Sequence, residues 1–434
     1  MSSEKSSSTD SSLCHQHESL ESPSSLTSNE KKPCDEVSLP PIDGGYQAWM
    51  FLAASTMIEA LVWGFAFSFG VFENYYRNND QIEGSSMVAV IGTCATGVAY
   101  LSCPVVIVTM ILLPRYARWV STVGLSLMCL SLAMASFATS VTTLVISQGI
   151  GFGIGGCIAY SPSIMFMSEW FDKRRGLAFG MVWAGSGISG IIFPLILGKF
   201  LDHLGYQTTL RICSVLLFVL AAPFLYFHRP RIPISKDIAH HRLNAKFMLN
   251  PMFIVYQSSN ILEALGFFIP AIYLPTFARH IGASELVASL TVTALNLASV
   301  FGSISMGHLS DRCHVWICIT ISSIGTVVSV FLLWGLATNV AVLMLFSVAY
   351  GLFAGSYSAT WSGTIRAVQK VDSDADATII FSVIAFGRGI GNVTLGRGVA
   401  GEAYGTGYGL MIVCTGLTVA TSGMCLLARL FKHL

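Results

Sequence analysis

The sequence predicts an all-α membrane protein with twelve transmembrane helices in two six-helix, pseudo-symmetric halves. Three observations carry this. Of 434 residues, 53% are hydrophobic and only 11% charged, against about 25% charged in soluble domains. Apolar segments of membrane-spanning length recur along the chain. Two glutamates, Glu59 in Ile58-Glu59-Ala60-Leu61 and Glu263 in Leu262-Glu263-Ala264-Leu265, hold equivalent places in the two halves.

Residues 1–45 form a polar tail rich in serine (Ser2, Ser3, Ser6, Ser7, Ser8, Ser11, Ser12), expected to be disordered and cytosolic. It has none of the apolar core of a cleavable signal peptide. Six apolar segments follow at about 47–71, 87–111, 118–138, 142–168, 176–198 and 208–227, an N-terminal bundle over 46–228. A polar linker, 229–250, leads to six more at about 251–275, 286–308, 315–336, 340–364, 377–400 and 407–430, a C-terminal bundle over 251–434. Most are long enough for a hydrocarbon core about 30 Å thick. Gly149, Gly151, Gly153, Gly155 and Gly156 crowd the fourth segment, and Gly180, Gly185, Gly187 and Gly190 the fifth. Small residues of this kind let membrane helices approach closely. Gly185-Ser186-Gly187-Ile188 in the fifth segment matches Gly387-Arg388-Gly389-Ile390 in the eleventh, at nearly the offset that separates Glu59 from Glu263. Both matches pair a segment with the one six later, the mark of a parallel two-half repeat.

Lysine and arginine set the orientation. With both termini cytosolic, the inner side holds Lys5, Lys31, Lys32, Arg115, Arg118, Lys173, Arg174, Arg175, Arg229, Arg231, Lys236, Arg242, Lys246, Arg312, Arg366, Lys370, Arg429 and Lys432. Of the 24 Lys and Arg residues only Arg77, Lys199, Arg211, Arg279 and Arg397 fall outside, and Arg388 lies within the membrane. A formal net charge of +1 gives no case for nucleic-acid binding. The 11 cysteines sit mostly in apolar segments and read as small buried residues, not as a disulfide framework.

The charges inside the membrane point to function. A carboxylate at the bilayer centre costs at least ~2.5–3.5 kcal/mol and commonly marks a pathway. Counted from Gln47 and Pro251, Glu59 and Glu263 each fall about 12 residues into their segments, roughly 18 Å of helix. Arg388 lies equally deep, counted from Asp376, and segments 1, 7 and 11 run in the same direction. Helical spacing gives each a polar face: Ser55, Thr56, Glu59 and Trp63; Ser259, Asn260, Glu263 and Phe267; Arg388 and Asn392. Asn296, Ser299 and Ser303 add polar groups from segment 8, and Tyr160, Tyr357 and Trp361 supply aromatic walls. These residues form the expected substrate and proton pathway. The alternative is that the glutamates only tie helices together and the aromatics only pack. Were both glutamates ionised, the set would carry one uncompensated negative charge. The favoured arrangement pairs Arg388 with one glutamate and leaves the other protonated as a proton carrier.

Two motifs flank this region. Asp43-Gly44-Gly45-Tyr46-Gln47-Ala48-Trp49 enters the first segment, and Trp170-Phe171-Asp172-Lys173-Arg174-Arg175-Gly176-Leu177-Ala178 opens the fifth. Taken singly they are a tight turn with an aromatic anchor and a basic loop. Together, over Pro41 to Leu434, they resemble the monocarboxylate-porter branch of the major facilitator superfamily, in a variant closer to fungal than animal members. The resemblance implies the major facilitator fold, and a gating role for Asp43, Gly44, Gly45, Asp172, Arg174 and Arg175. Gly307-His308-Leu309-Ser310-Asp311-Arg312 resembles the superfamily's Gly-x-x-x-Asp-Arg gating loop, which assigns Asp311 and Arg312 to a latch. Its counterpart after the second segment is degraded to Leu113-Pro114-Arg115-Tyr116-Ala117-Arg118. The chain also departs from the characterised monocarboxylate carriers. No lysine lies between Gln47 and Arg77, and Ser299 and Ser303 stand where segment 8 of the family carries Asp and Arg. Short monocarboxylates are therefore expected to be poor substrates.

Other signals are rejected. Asp372-Ser373-Asp374-Ala375-Asp376 lacks the glycine and the final glutamate of a calcium loop and reads instead as an electrostatic start to segment 11. Gly387-Arg388-Gly389-Ile390-Gly391 follows no strand, so it is no dinucleotide fingerprint. Asn392-Val393-Thr394 fits a glycosylation sequon but lies in the membrane. His240-His241 is a lone pair, and no Walker motif is present. No metal or cofactor is expected, and no enzymatic activity.

The expected protein is a multi-pass carrier of the plasma membrane, working by alternating access. Its partners are a small-molecule substrate, the lipid bilayer and protons. The substrate class is a small organic acid or amphipathic metabolite, with export of a fungal secondary metabolite as one direction. Nutrient or vitamin uptake, or a non-transporting receptor on the same fold, are the alternatives. Substrate identity and oligomeric state leave no mark in the sequence.

Overall fold

The computed structural model describes residues 39–77, 87–232, 245–406 and 408–423, with side chains throughout except over 395–406. The expected disorder of the tail up to residue 38, the His240-His241 pair, the middle of the linker and the end of the twelfth segment lie outside the described residues.

Ten helices among the described residues are long and apolar enough to cross a membrane. They are α1 (Gly45–Arg77), α2 (Ala89–Leu112), α3 (Pro114–Ala135), α4 (Val141–Trp170), α5 (Arg175–Leu225), α6 (Pro251–His280), α7 (Glu285–Arg312), α8 (Val315–Trp334), α9 (Val340–Val371) and α10 (Ala377–Thr406), the last apolar through Thr394. A shorter apolar helix, α11 (Tyr408–Ser422), follows. The fold is an all-α, mostly membrane-spanning bundle, and the residues from Leu39 on pack as one unit.

Local chemistry fixes where these helices start. Asn250 accepts a hydrogen bond from the Met252 N–H and Pro251 takes the first turn of α6, where a missing N–H costs nothing. Ser284 caps α7 through Val287 N, and Asn339 caps α9 through Val342 N. Asp376 caps α10 by accepting from Thr378 N at 2.7 Å and Ile379 N at 3.3 Å. This is the electrostatic role expected for that acidic run. At 51 residues α5 is long enough to cross a bilayer twice, and its helical path breaks at Gly205, with φ 73 and ψ 168. The turn expected between the fifth and sixth segments is thus made by one left-handed glycine, a conformation other residues adopt only under strain.

Packing follows the small residues. A Cβ on Gly124 of α3 would meet Ala159 N of α4 at 2.2 Å, and one on Gly155 would meet Met128 N at 2.5 Å. The glycines of α5 do the same against α7, where a Cβ on Gly180 would lie 2.4 Å from Ser303 O and one on Gly307 would lie 2.3 Å from Gly176 O. α2 and α10 also meet closely, through Gly97 against Val393 and Gly389 against Tyr100. α5 with α7, and α2 with α10, thus join the elements before the linker to those after it.

Where α5 ends, His228 closes the base of α3 and α4. Its Nδ1 bonds the Ser121 hydroxyl at 2.7 Å and its Nε2 the Ser163 hydroxyl at 2.8 Å, and its ring stacks on Phe51 at 5.6 Å. Burial pushes the imidazole down to about 3, so it stays neutral at physiological pH. The ordinary histidine value is about 6.5. The stabilisation is therefore complete above that pH and is lost as pH falls toward 3, with a slope of at most about 1.4 kcal/mol per pH unit for one proton. His228→Gln should lower the unfolding temperature of the detergent-solubilised protein at pH 7.5, yet flatten its decline between pH 6.5 and 5. Parallel pH curves for the two proteins would contradict this.

Candidate functional site

The site begins on one face of α6. Gln257, Asn260 and Glu263, spaced by three, all reach α10. Gln257 Nε2 donates to Val383 O at 2.8 Å, Asn260 Nδ2 donates to Ile384 O at 2.8 Å, and Glu263 Oε2 accepts from Arg388 Nη1 at 2.6 Å. Glycines on α10 permit the approach: a Cβ on Gly387 would meet Gln257 Nε2 at 1.9 Å, and one on Gly391 would meet Ala264 Cβ at 2.6 Å. Glu263 and Arg388 are each 2% exposed. Their contact is a charge-assisted hydrogen bond of the shortest and strongest class.

Aromatic rings surround the pair. The Arg388 guanidinium lies 4.6 Å from the Phe267 ring and 5.9 Å from the Trp361 ring. Trp361 donates its indole N–H to Asn260 Oδ1 at 3.1 Å and stands 5.7 Å from Trp183 and 5.2 Å from Phe381. On the other side, Tyr100 of α2 lies 6.5 Å from Trp361 and 4.3 Å from Trp63, which in turn lies 5.7 Å from Tyr160. Glu59 is buried at 4% exposure, with Trp63 one turn further along α1. Tyr100 and Tyr357 both lie in the electrostatic field of Arg388. The structure therefore brings together Glu59, Trp63, Tyr160, Asn260, Glu263, Tyr357, Trp361 and Arg388, and it pairs the arginine with Glu263, not Glu59.

Several buried atoms in this cluster have no hydrogen-bond partner among the described residues: Tyr160 OH, Gln257 Oε1, Glu263 Oε1, Arg388 Nε and both amide atoms of Asn392, the last four lying on or one turn from the ion pair. Buried polar groups are ordinarily satisfied, so these are available to a ligand or water. The remaining pathway candidates are engaged elsewhere. Asn296 Nδ2 donates to Gly190 O at 3.0 Å, Ser299 Oγ to Leu295 O at 3.0 Å and Ser303 Oγ to Gly355 O at 3.3 Å. All three thus serve the contacts of α7 with its own backbone, α5 and α9. Tyr100, Trp183 and Phe381 went unmarked in the sequence because an aromatic in an apolar run reads as packing.

A second cluster holds the turn before α5. The Asp43 carboxylate accepts from the backbone N–H of Asp172, Lys173 and Arg174, each at 3.0 Å. Asp43 itself has φ 59, and Gly45 follows at φ 81 with Pro41 only 2.8 Å from where a Cβ would be. Gly44 is extended, with open space around its Cα. Partial burial acts to raise the Asp43 carboxyl, but the three N–H donors and the Arg174 charge outweigh it and hold the group below its ordinary range. This anchorage is therefore complete above pH ~4 and is lost only in stronger acid. A few residues on, the Asp311 carboxylate of α7 accepts from Gly176 N at 2.7 Å, Leu177 N at 2.8 Å and Arg366 Nη1 at 2.7 Å. The Arg366 guanidinium also bonds Ser310 O. The ion-pair partner of Asp311 is thus Arg366 of α9, not the neighbouring Arg312, which is exposed. Adjacent residues on a helix point in different directions and do not face each other. Arg175 lies among Asp172, Asp311 and Asp376.

A family model described as Major Facilitator Superfamily matches residues 48–259. The chain is 29% identical to the MFS transporter asaE of Aspergillus flavus over 77% of this chain and 76% of that protein. It is 27% identical to the MFS-type transporter pynF of Aspergillus niger over 90% of each. It is 29% identical to the Fujikurins efflux protein of Gibberella fujikuroi over 73% of this chain and 68% of that protein.

Neutralising Asp311 removes charge-assisted bonds worth about 1.5–3 kcal/mol each while leaving the helices intact. In an Asp311→Asn background, a cysteine at Ser303 should react with a soluble thiol reagent roughly tenfold faster or more, with expression unchanged. Equal labelling rates would remove the latch.

Proposed function

We propose that this chain, which belongs to the major facilitator superfamily, is a secondary carrier that works by alternating access and exports amphipathic organic molecules in exchange for protons. Membership makes it a membrane transporter of small organic molecules and not an enzyme. In this reading the twelve spans form two bundles, 46–228 and 251–434, joined by the 229–250 linker, within the monocarboxylate-porter-like branch. Both termini are cytosolic and the membrane is the plasma membrane. The Asp43 and Asp311 contacts with the turn before α5 close the cytosolic side.

One observation carries the proposal: the buried Arg388–Glu263 pair stands across Tyr100 and an aromatic run from Glu59. The pair is internally neutral. Among the described residues Glu59 has no cation beside it, and in this reading it carries the exchanged proton. That proton can leave when alternation admits water to α1, which couples flux to the pH gradient. The aromatic surroundings suit an amphipathic cargo better than a short hydrophilic acid. Export is favoured by the efflux function that the name of the Gibberella fujikuroi relative states.

Purified protein in liposomes, tested against a panel of amphipathic organic compounds with and without an imposed pH gradient, examines this directly. Glu59→Gln should keep substrate exchange but lose acceleration by the gradient. Arg388→Ala leaves Glu263 unpaired, a loss of about 3–5 kcal/mol, and should depress both modes by two orders of magnitude or more. Wild-type gradient dependence in both Glu59→Gln and Glu263→Gln would make these carboxyls structural and place coupling elsewhere.

A further inference from the structure

The polar atoms left open beside the ion pair form a defined set. Asn392 follows Arg388 by one turn of α10 and is 8% exposed, yet among the described residues neither its Oδ1 nor its Nδ2 has a partner. Glu263 Oε1 and Arg388 Nε are equally buried and equally open. Together they offer two donors, from Arg388 Nε and Asn392 Nδ2, and two acceptors, Asn392 Oδ1 and Glu263 Oε1. A bare carboxylate supplies acceptors only and would leave both of these acceptors unmet. It would also bring a second negative charge to a guanidinium that Glu263 already neutralises at 2.6 Å, and a net buried charge is costly. A hydrocarbon would leave all four atoms unmet, each at a cost of about 1–3 kcal/mol.

We infer that this set is the recognition edge for the cargo, and that the cargo is an uncharged molecule presenting a carbonyl acceptor beside an N–H or O–H donor on a flat ring system. The flatness follows from the walls. Phe267 and Trp361 lie at 4.6 and 5.9 Å from the guanidinium, and the Trp63 and Tyr100 rings lie 4.3 Å apart. Planar faces of this kind stack planar ligands. An amide-like edge meets the free amide of Asn392 donor to acceptor and acceptor to donor. Asn392 is thereby a specificity-determining residue, distinct from the Arg388–Glu263 pair. The inference rests on the carrier reading for transport, while the binding preference stands on the side chains alone.

Three probes on one naphthalene ring test it on the full-length protein in nanodiscs and in liposomes. 2-Naphthamide carries both donor and acceptor without charge. N,N-dimethyl-2-naphthamide keeps the acceptor and loses the donor. 2-Naphthoate is an acceptor-only anion. Equilibrium binding should favour 2-naphthamide over each of the others by tenfold or more. Asn392→Leu should weaken 2-naphthamide by about tenfold and the dimethyl amide, which can use only one of the two bonds, by clearly less, with unchanged folding confirmed by the unfolding temperature. Preference for 2-naphthoate, equal affinity for all three, no binding of any, or an Asn392→Leu protein with wild-type selectivity would each overturn the inference. If 2-naphthamide binds selectively but its exchange across liposomes is no faster than in protein-free vesicles, the recognition edge stands and the carrier reading falls. If exchange is fast for 2-naphthoate alone, the carrier reading stands and the edge falls.

Discussion

The contact between Arg388 and Glu263 governs the organisation of the bundle interior. Two full charges, each 2% exposed, meet at 2.6 Å in a chain whose surroundings are apolar. Neither charge is tolerable there alone. Their pairing dictates the separation of α6 and α10, which is why glycines flank the arginine at Gly387 and Gly391 and why Gln257 and Asn260 add hydrogen bonds along the same seam. It also dictates the aromatic shell. Phe267 and Trp361 present ring faces to the guanidinium, giving it electrostatic attraction where water is absent.

Glu59 then acquires its distinct character by exclusion. Among the described residues, the one guanidinium in the cluster is committed to the other carboxylate, so Glu59 is left with the Trp63 indole and the neighbourhood of Tyr100. Two carboxyls that look alike along the chain thus occupy unlike environments. Away from this cluster, Asp43 and Asp311 both bind the turn before α5: Asp43 takes the backbone N–H groups of Asp172, Lys173 and Arg174, and Asp311 those of Gly176 and Leu177. α5 and α7 touch through glycine from Gly176 to Gly190, so their backbones pack directly with no long flexible side chains between them.

The depth of Glu59, Glu263 and Arg388 was legible in the sequence because charge in a membrane is costly enough to stand out against an apolar background. Which glutamate takes the arginine was not. Depth is one coordinate, and the choice depends on helix rotation, which Gly387 and Gly391 settle by letting α10 approach α6. The same gap explains the latch. Asp311 was visible as an acidic residue at a helix end, but Arg366 is distant in sequence and only tertiary packing selects it over Arg312. Tyr100 was hidden because a tyrosine in an apolar run gives no signal of its own. Conversely, Asn296 and Ser303 read as a polar face, and a polar face serves helix contacts as readily as a pathway. The helix ends were the most readable of all, since Asn250, Ser284, Asn339 and Asp376 cap by local chemistry that needs no tertiary information.

If the buried pair organises the interior, its two members must act as a unit. A double-mutant cycle of Glu263→Gln and Arg388→Gln, read as the stability of the purified protein in one detergent, measures that directly. Each single change should cost about 3 kcal/mol or more because it strands the opposite charge. The double variant should be more stable than either single one. Additive losses in the double variant would show that the two charges do not depend on each other, and the account of the interior built on their contact would be wrong.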